Sequence, residues 1–228
     1  MYSNDSLKSV LKKKILLLDG GMGTMIQKKK LSENQFRGEK FKSFGKSLKG
    51  NNDILNITNP KIIYEIHKSY LDAGADIIET NTFNSTKVSQ RDYDFEKYSY
   101  DLNFEGGKIA RKCVDDFMKK NPREQKFVAG VLGPTNRTCS MSPDVNDPGF
   151  RNITFDQLRD DYEISVEALT NANVDFILNT RDEPTQPNRA PIFSYSIHNN
   201  DKLLQKLIID ITVFYQANGI LVLRWQKK

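Results

Sequence analysis

At 228 residues of ordinary globular composition, the chain is long enough to bury a sizeable core as one large domain or two small ones. Its net charge of +5 sits in runs such as Lys12-Lys13-Lys14 and Lys28-Lys29-Lys30 with acids close by, which describes a solvated surface and not the basic, aromatic-interleaved face of a nucleic-acid binder. Cys113 and Cys139 are too few for a disulfide framework or a cysteine-rich zinc site, and no segment reaches the roughly 20 apolar residues of a membrane span, so a cytoplasmic protein is expected, with no nucleic-acid or membrane partner.

Residues 1–14 form an N-terminal extension whose apolar stretch is too short for a signal peptide. The run Ile15-Leu16-Leu17-Leu18 lacks alternation, which predicts a strand covered on both faces, with Asp19 at its carboxyl end. In α/β folds ligands collect there, because side chains and free backbone N–H groups converge on a rigid frame. Gly20, Gly21 and Gly23 keep the following turn bare and let backbone donors approach a ligand. A carboxylate beside exposed amides could hold an α-amino acid by both charged ends. The same residues also read as a tight turn whose aspartate caps its own backbone. The spacing matches neither G-x-G-x-x-G nor G-x-x-x-x-G-K-[ST], which sets nucleotide binding aside.

A polar, lysine-rich excursion from Lys28 to Asn52 leads to Asp53–Thr58, expected as a short second strand. Asn59 then stands as a helix cap with Pro60 in the first turn, Ile62, Ile63, Ile66, Tyr70 and Ala73 fall at helical spacing, and Gly74 ends the helix. "ADIIETNTF" follows as a third strand, a helix spans about 101–120, and "KFVAGVLGP" is a fourth strand. After a long loop, Thr154-x-x-Gln157 opens another helix as a capping box, and "NVDFILNT" is the fifth strand. Strands alternating with helices imply a parallel α/β architecture, and element lengths favour a TIM-type barrel over a doubly wound sheet.

Together, "LDGGMGTMIQ", "FRGEKF", "LKGNNDILNITNP", "YLDAGADIIETNTFNST" and "FVAGVLGPTNRTCSMSPDVNDPGFRNITFD" resemble the N-terminal homocysteine-binding domain of cobalamin-dependent methionine synthase. The resemblance covers residues 15–178 and implies a (β/α)8 barrel, of which about the first five βα units are present. It implies zinc held by three cysteine thiolates, which keeps the homocysteine sulfur as thiolate, and cobalamin as the methyl carrier. It also implies that Asp19 receives the substrate ammonium, that the amides of Gly20 and Gly21 face its carboxylate, and that Thr80 donates a hydroxyl to the same end. Glu79, Asn81 and Thr82 stand beside this pocket, although ordinary strand-end hydrogen bonding explains them equally. Cys139 reads as a loop thiol, Cys113 as a core residue, His67 as a surface or interhelix residue, and His198 has no metal-spaced partner.

Residues 179–228 leave the pattern and form a divergent tail. Where the family continues into an "ET" pair whose glutamate grips the amino group, the chain reads Asn179-Thr180-Arg181, with Glu183 out of register. Ala190–Ile197 weakly resembles a sixth strand, Leu203 to Tyr215 has helical spacing, Asn218-Gly219 is a stop signal, and "ILVLRW" reads as a strand. The family's zinc cysteines have no counterparts, so no catalytic or metal residue and no cofactor is expected for this chain. Homocysteine or methionine is the expected ligand, with weak or no independent activity. The competing readings are a non-catalytic amino-acid-binding or interaction protein and a truncated product, whose interrupted barrel would leave sheet edges open to pairing.

Overall fold

The computed structural model describes residues 4–137, 139, 142–179, 214–215 and 221–223. Its frame is four parallel strands: β1 (Leu16–Leu17), β2 (Ile77–Glu79), β3 (Phe127–Leu132) and β4 (Phe176–Asn179). β2, β3 and β4 pair with Ile78 opposite Val128 and Gly130 opposite Ile177, and β1 joins through a parallel bridge from Leu18 to Ile77. Alternate side chains enter one apolar layer of Leu16, Leu18, Ile77, Phe127, Ala129, Val131, Phe176 and Leu178. Their neighbours Ile78, Val128, Leu132 and Ile177 join a second layer with the helices. This is the two-sided burial that parallel strands under helices require, and the layout is that of an incomplete TIM-type barrel. Helix α1 (Asn4–Leu11) lays Leu7, Val10 and Leu11 against the inner layer.

β1 departs from the expectation of burial on both faces. Leu16 and Leu18 are buried, but Ile15 is 58% and Leu17 41% exposed. The physical reason is that helices of the described chain pack on the outer faces of β2 to β4, not of β1. Asp76 ties the first three strands at their start, accepting from Lys14 Nζ at 2.9 Å, Lys126 Nζ at 3.3 Å and the Leu17 amide at 3.2 Å.

Between β1 and β2 lies a helical lobe of α2 (Met22–Lys28), α3 (Glu33–Arg37), a 3-10 turn (Asn52–Ile54), α4 (Leu55–Thr58) and α5 (Pro60–Asp72). Residues 53–58 are therefore helical, not the expected second strand, so among the described residues the parallel strands number four and not five. Ile54 and Leu55 are buried in succession and Asn56 with them, a pattern without the alternation of a half-covered strand. Such a short apolar run carries no period that separates buried helix from buried strand.

The lysine-rich excursion is folded inside this lobe. Glu33 accepts from Arg37 Nε at 2.6 Å, Ser47 Oγ at 2.7 Å, and the amides of Leu48 and Lys49 at 2.8 Å each. Partial burial pushes its carboxyl up, but the bonds from Leu48, Ser47, Lys49 and Arg37 outweigh it and hold the group at about 2. Beneath that clasp Phe41, Phe44, Phe95 and Tyr98 pack mostly edge to face, with Phe41 and Phe95 centroids 4.8 Å apart.

In α5 the expected signals are present: Pro60 takes the first turn, and Gly74 carries φ +103°, a conformation that favours glycine after the helix. Asn59 holds the cap position without a side-chain hydrogen bond. Ile63 and Ile66 are buried, whereas Ala73 is exposed. His67 is fully buried and so is not a surface residue.

After β2 come α6 (Lys87–Gln90) and the long α7 (Ser99–Lys120), and α8 (Phe155–Asn171) links β3 to β4. The capping box of α8 forms as the sequence predicts: the Thr154 hydroxyl accepts from the Gln157 amide at 3.2 Å, and Gln157 Oε1 accepts from the Thr154 amide at 3.0 Å. α7 crosses α4 at Gly106, where a Cβ would fall 2.7 Å from both Asn56 Nδ2 and Thr82 Cγ2.

From the tail, β5 (Phe214–Tyr215) and β6 (Leu221–Leu223) form an antiparallel pair, and β6 adds antiparallel to β1 with Leu16 opposite Leu223. The expected strand at 220–225 is thus present in part, whereas Tyr215, expected on a helix, is in a strand. The Asn218-Gly219 pair between them is as much a hairpin signal as a helix stop. Glu183, the weak sixth-strand match, His198 and the rest of the expected tail helix lie outside the described residues. Among the described residues no helix is long and apolar enough to cross a membrane.

Candidate functional site

The carboxyl ends of β1 and β2 bring together the residues singled out by sequence. Asp19 follows the bridge residue Leu18 just past β1, and its amide donates to the Ile77 carbonyl at 3.0 Å, continuing the parallel ladder. Its Oδ2 accepts from the Glu79 amide at 3.0 Å. Its Oδ1 is buried and has no hydrogen-bond partner among the described residues. Burial first, and the neighbouring Glu79 charge second, push the Asp19 carboxyl well above the usual carboxylate range. Glu79 lies two residues after Ile77 on the inner face of β2, and burial pushes its carboxyl up to about 7.

Gly20 and Gly21 are exposed and Gly23 half-buried, as expected for a place where backbone donors meet a ligand. Neither Gly20, Gly21 nor Gly23 takes a positive φ. What the missing side chain provides at Gly20 is clearance for Tyr70, whose hydroxyl would lie 3.2 Å from a Cβ there. The Tyr70 hydroxyl donates to the Gly21 carbonyl at 3.3 Å, so α5 braces the turn. Burial, followed by the Asp19 charge, raises the Tyr70 phenol.

Thr80 is buried inside a closed network. Its hydroxyl accepts from the Val131 amide at 2.9 Å and lies 2.7 Å from the Thr82 hydroxyl. Thr82 in turn donates to the Val131 carbonyl at 2.8 Å. Each hydroxyl has one hydrogen, so with that of Thr82 on Val131, the hydrogen of Thr80 lies on Thr82. Asn81 completes the floor: its Nδ2 donates to the Asn52 carbonyl at 2.9 Å and to Asn56 Oδ1 at 3.0 Å. Asn56 Nδ2 answers on the carbonyls of Asn81 at 2.7 Å and Leu102 at 3.0 Å. Tyr70 and Asn56 are the structural contributors that sequence reasoning missed, one hidden in a helix face and the other inside the segment read as a strand.

A separate polar cavity of about 140 Å³ lies beside this site, lined by Asn51, Asp53, Asn84, Asp92, Tyr93 and Asn136 among others. Burial pushes Asp53 up to about 6, against the lowering effect of hydrogen bonds from Ser85 and Asn84.

The donor set does not fit a thiolate zinc centre. Cys113 is buried in α7 with its Sγ directed to the Tyr64 carbonyl at 3.8 Å, and burial pushes its thiol up to about 12, away from the thiolate that binds metal. Cys139 stands in the loop after β3. Among the described residues no group of three or more His, Cys, Asp or Glu side chains could hold a metal ion.

A family model described as homocysteine S-methyltransferase matches residues 16–181. Among solved structures, the metallated form of the homocysteine methyltransferase MmuM from Escherichia coli matches with a TM-score of 0.58 and 24% identity, over 82% of this chain and 60% of that one. The oxidized form matches with a TM-score of 0.58 and 23% identity, over 82% and 59%. The chain thus spans less than two thirds of the length of these structures, and the likeness is one of fold. With the family model covering well over half of its length, the chain belongs to the homocysteine S-methyltransferase family.

Proposed function

We propose that this chain holds the amino-acid end of homocysteine, or of the product methionine, at the carboxyl ends of β1 and β2. Asp19 receives the ammonium, and the amides of the Gly20-Gly21 turn receive the carboxylate. Thr80 fixes the end of β2 to Val131, and its hydroxyl reaches the ligand only by releasing Thr82. The observation that carries the reading is the buried Oδ1 of Asp19, which has no hydrogen-bond partner among the described residues. A buried acceptor left unsatisfied costs about 1–3 kcal/mol, more when charged, and an ammonium N–H would offset that cost.

The finer reading is the homocysteine-binding domain of a methionine synthase, with methylcobalamin as donor. Its support is the set of sequence motifs from "LDGGMGT" to "RNITFD". Because the described residues do not fit the zinc thiolate centre, no sulfur-activating step is assigned to them, and weak or no methyl transfer is expected from this chain alone. The role left to it is amino-acid binding.

Equilibrium dialysis with labelled L-homocysteine and with its desamino analogue 4-mercaptobutyrate tests the pocket. Retention of L-homocysteine at least tenfold stronger than that of the analogue is expected. Equal retention of both, or of neither, counts against an ammonium site at Asp19.

A further inference from the structure

Two carboxylates, not one, meet at the mouth of the barrel. Parallel pairing of Leu18 with Ile77 sets Asp19 beside the end of β2, and the hydrogen bond from the Glu79 amide to Asp19 Oδ2 at 3.0 Å fixes the two residues against each other. Period-two alternation places Glu79 on the face of Ile77, which belongs to the inner apolar layer with Ala129, Val131 and Leu178. An acid on that face has no apolar role. Among the described residues, no hydrogen bond or ion pair to a cation satisfies the Glu79 carboxylate. Among the same residues, the buried Asp19 Oδ1 has no hydrogen-bond partner either.

We infer that Glu79 is the second carboxylate of the ammonium site, sharing with Asp19 the N–H donors of the bound amino acid. The inference rests on the proposed binding of homocysteine or methionine. Two like charges side by side at a half-buried strand end resist ionising together without a cation, so the empty pair retains a proton. The raised positions of both carboxyls agree with this. The other titratable group facing them is the Tyr70 phenol, itself raised, which stays neutral and adds no charge. When the α-ammonium enters, it takes the place of that proton, which leaves to solvent. Binding therefore releases a proton near neutral pH. Affinity falls about tenfold per pH unit once the pH is well below about 7, where the pair retains its proton.

L-Methionine is the suitable probe, because its thioether does not titrate. Calorimetric titration of the whole chain in two buffers of different ionisation enthalpy counts the protons released. The expected result for the wild-type chain is net proton release with L-methionine and none with the desamino analogue 4-(methylthio)butanoate. Glu79→Gln, which keeps shape and removes charge, is expected to weaken L-methionine at least tenfold, to leave the analogue within about twofold, and to abolish the release. Wild-type binding of L-methionine without proton release, or equal weakening of both ligands by Glu79→Gln, overturns the role of Glu79 while leaving the pocket standing. No binding of L-methionine by the wild-type chain at any pH overturns the pocket and the role together. The wild-type proton count needs no variant, so an unfolded Glu79→Gln protein does not block the test.

Discussion

His67 sits fully buried in α5, and among the described residues neither ring nitrogen has a hydrogen-bond partner. Burial alone lowers its imidazole to about 3. The folded chain refuses a proton that the unfolded chain binds at its ordinary value near 6.5, so the stability that neutral His67 permits is complete above about 6.5 and is lost as pH falls toward 3. At pH 5 the loss is about 2 kcal/mol, from roughly 1.4 kcal/mol per pH unit. His67→Leu is expected to remove that share, so urea midpoints of variant and wild type should diverge as pH drops from 7 to 5. Parallel curves would mean that the ring is solvated. Asp19 and Glu79 work with the opposite sign: both carboxyls are raised in the folded chain, so the stability linked to them is present at low pH and is lost as pH rises, through about 7 for Glu79 and through its own raised position for Asp19. Asp19→Asn is therefore expected to raise the melting temperature at pH 8 by about 2–4 °C, the shift of roughly 1 kcal/mol in a chain of this size, while removing ligand binding. A lower melting temperature would indicate that the carboxylate stabilises the fold. The sequence placed Asp19 at a strand end but was silent on the state of its second oxygen, which depends on Glu79 sixty residues away.

At the scale of elements, the legible signals were those written in local chemistry. The Thr154 capping box, Pro60 in the first turn and Gly74 after the helix depend on residues within one turn of one another, and all three are present. The segment from Asp53 to Thr58 was misread because its conformation is set by distant partners: Asn56 bonds the carbonyls of Asn81 and Leu102. A helix there brings Asn56 beneath α7, and Gly106 leaves the room for it. Gly106→Ala would gain helix propensity yet drive a methyl group to 2.7 Å from Asn56 Nδ2 and Thr82 Cγ2. A net destabilisation of about 1–3 kcal/mol is expected from such overpacking, read by urea denaturation. A neutral or stabilising result would show that the α4–α7 seam is looser than the distances imply. The exposure of Ile15 and Leu17 was hidden for a related reason, since a run of four aliphatic residues does not say which face a later helix will cover.

For the whole molecule, the inner layer, the helix-facing layer and the helical lobe are three apolar clusters, and they are not independent. Tyr64 and Tyr70 of α5 pack against both the helix-facing layer and the lobe, and Ile77 and Ile78, adjacent in β2, belong to the inner and helix-facing layers. Far-UV and near-UV thermal melts are therefore expected to coincide in a single transition, whereas separate transitions would assign lobe and sheet to independent units. The parallel order of the frame was legible because helices and strands alternate along the chain. The antiparallel addition of β6 to β1 was not, because pairing of the tail with the first strand leaves no mark on either segment alone.

Binding of an amino acid by its ammonium group at Asp19 is the claim on which the functional reading turns. Its most direct test is calorimetric titration of L-homocysteine into the wild-type chain and into Asp19→Ala at pH 8 under reducing conditions. Saturable binding by the wild type, weakened at least tenfold in the variant, is expected, about the share of one to two charge-assisted hydrogen bonds. Equal affinity for both proteins, or no heat from a wild-type chain that melts cooperatively, would contradict it.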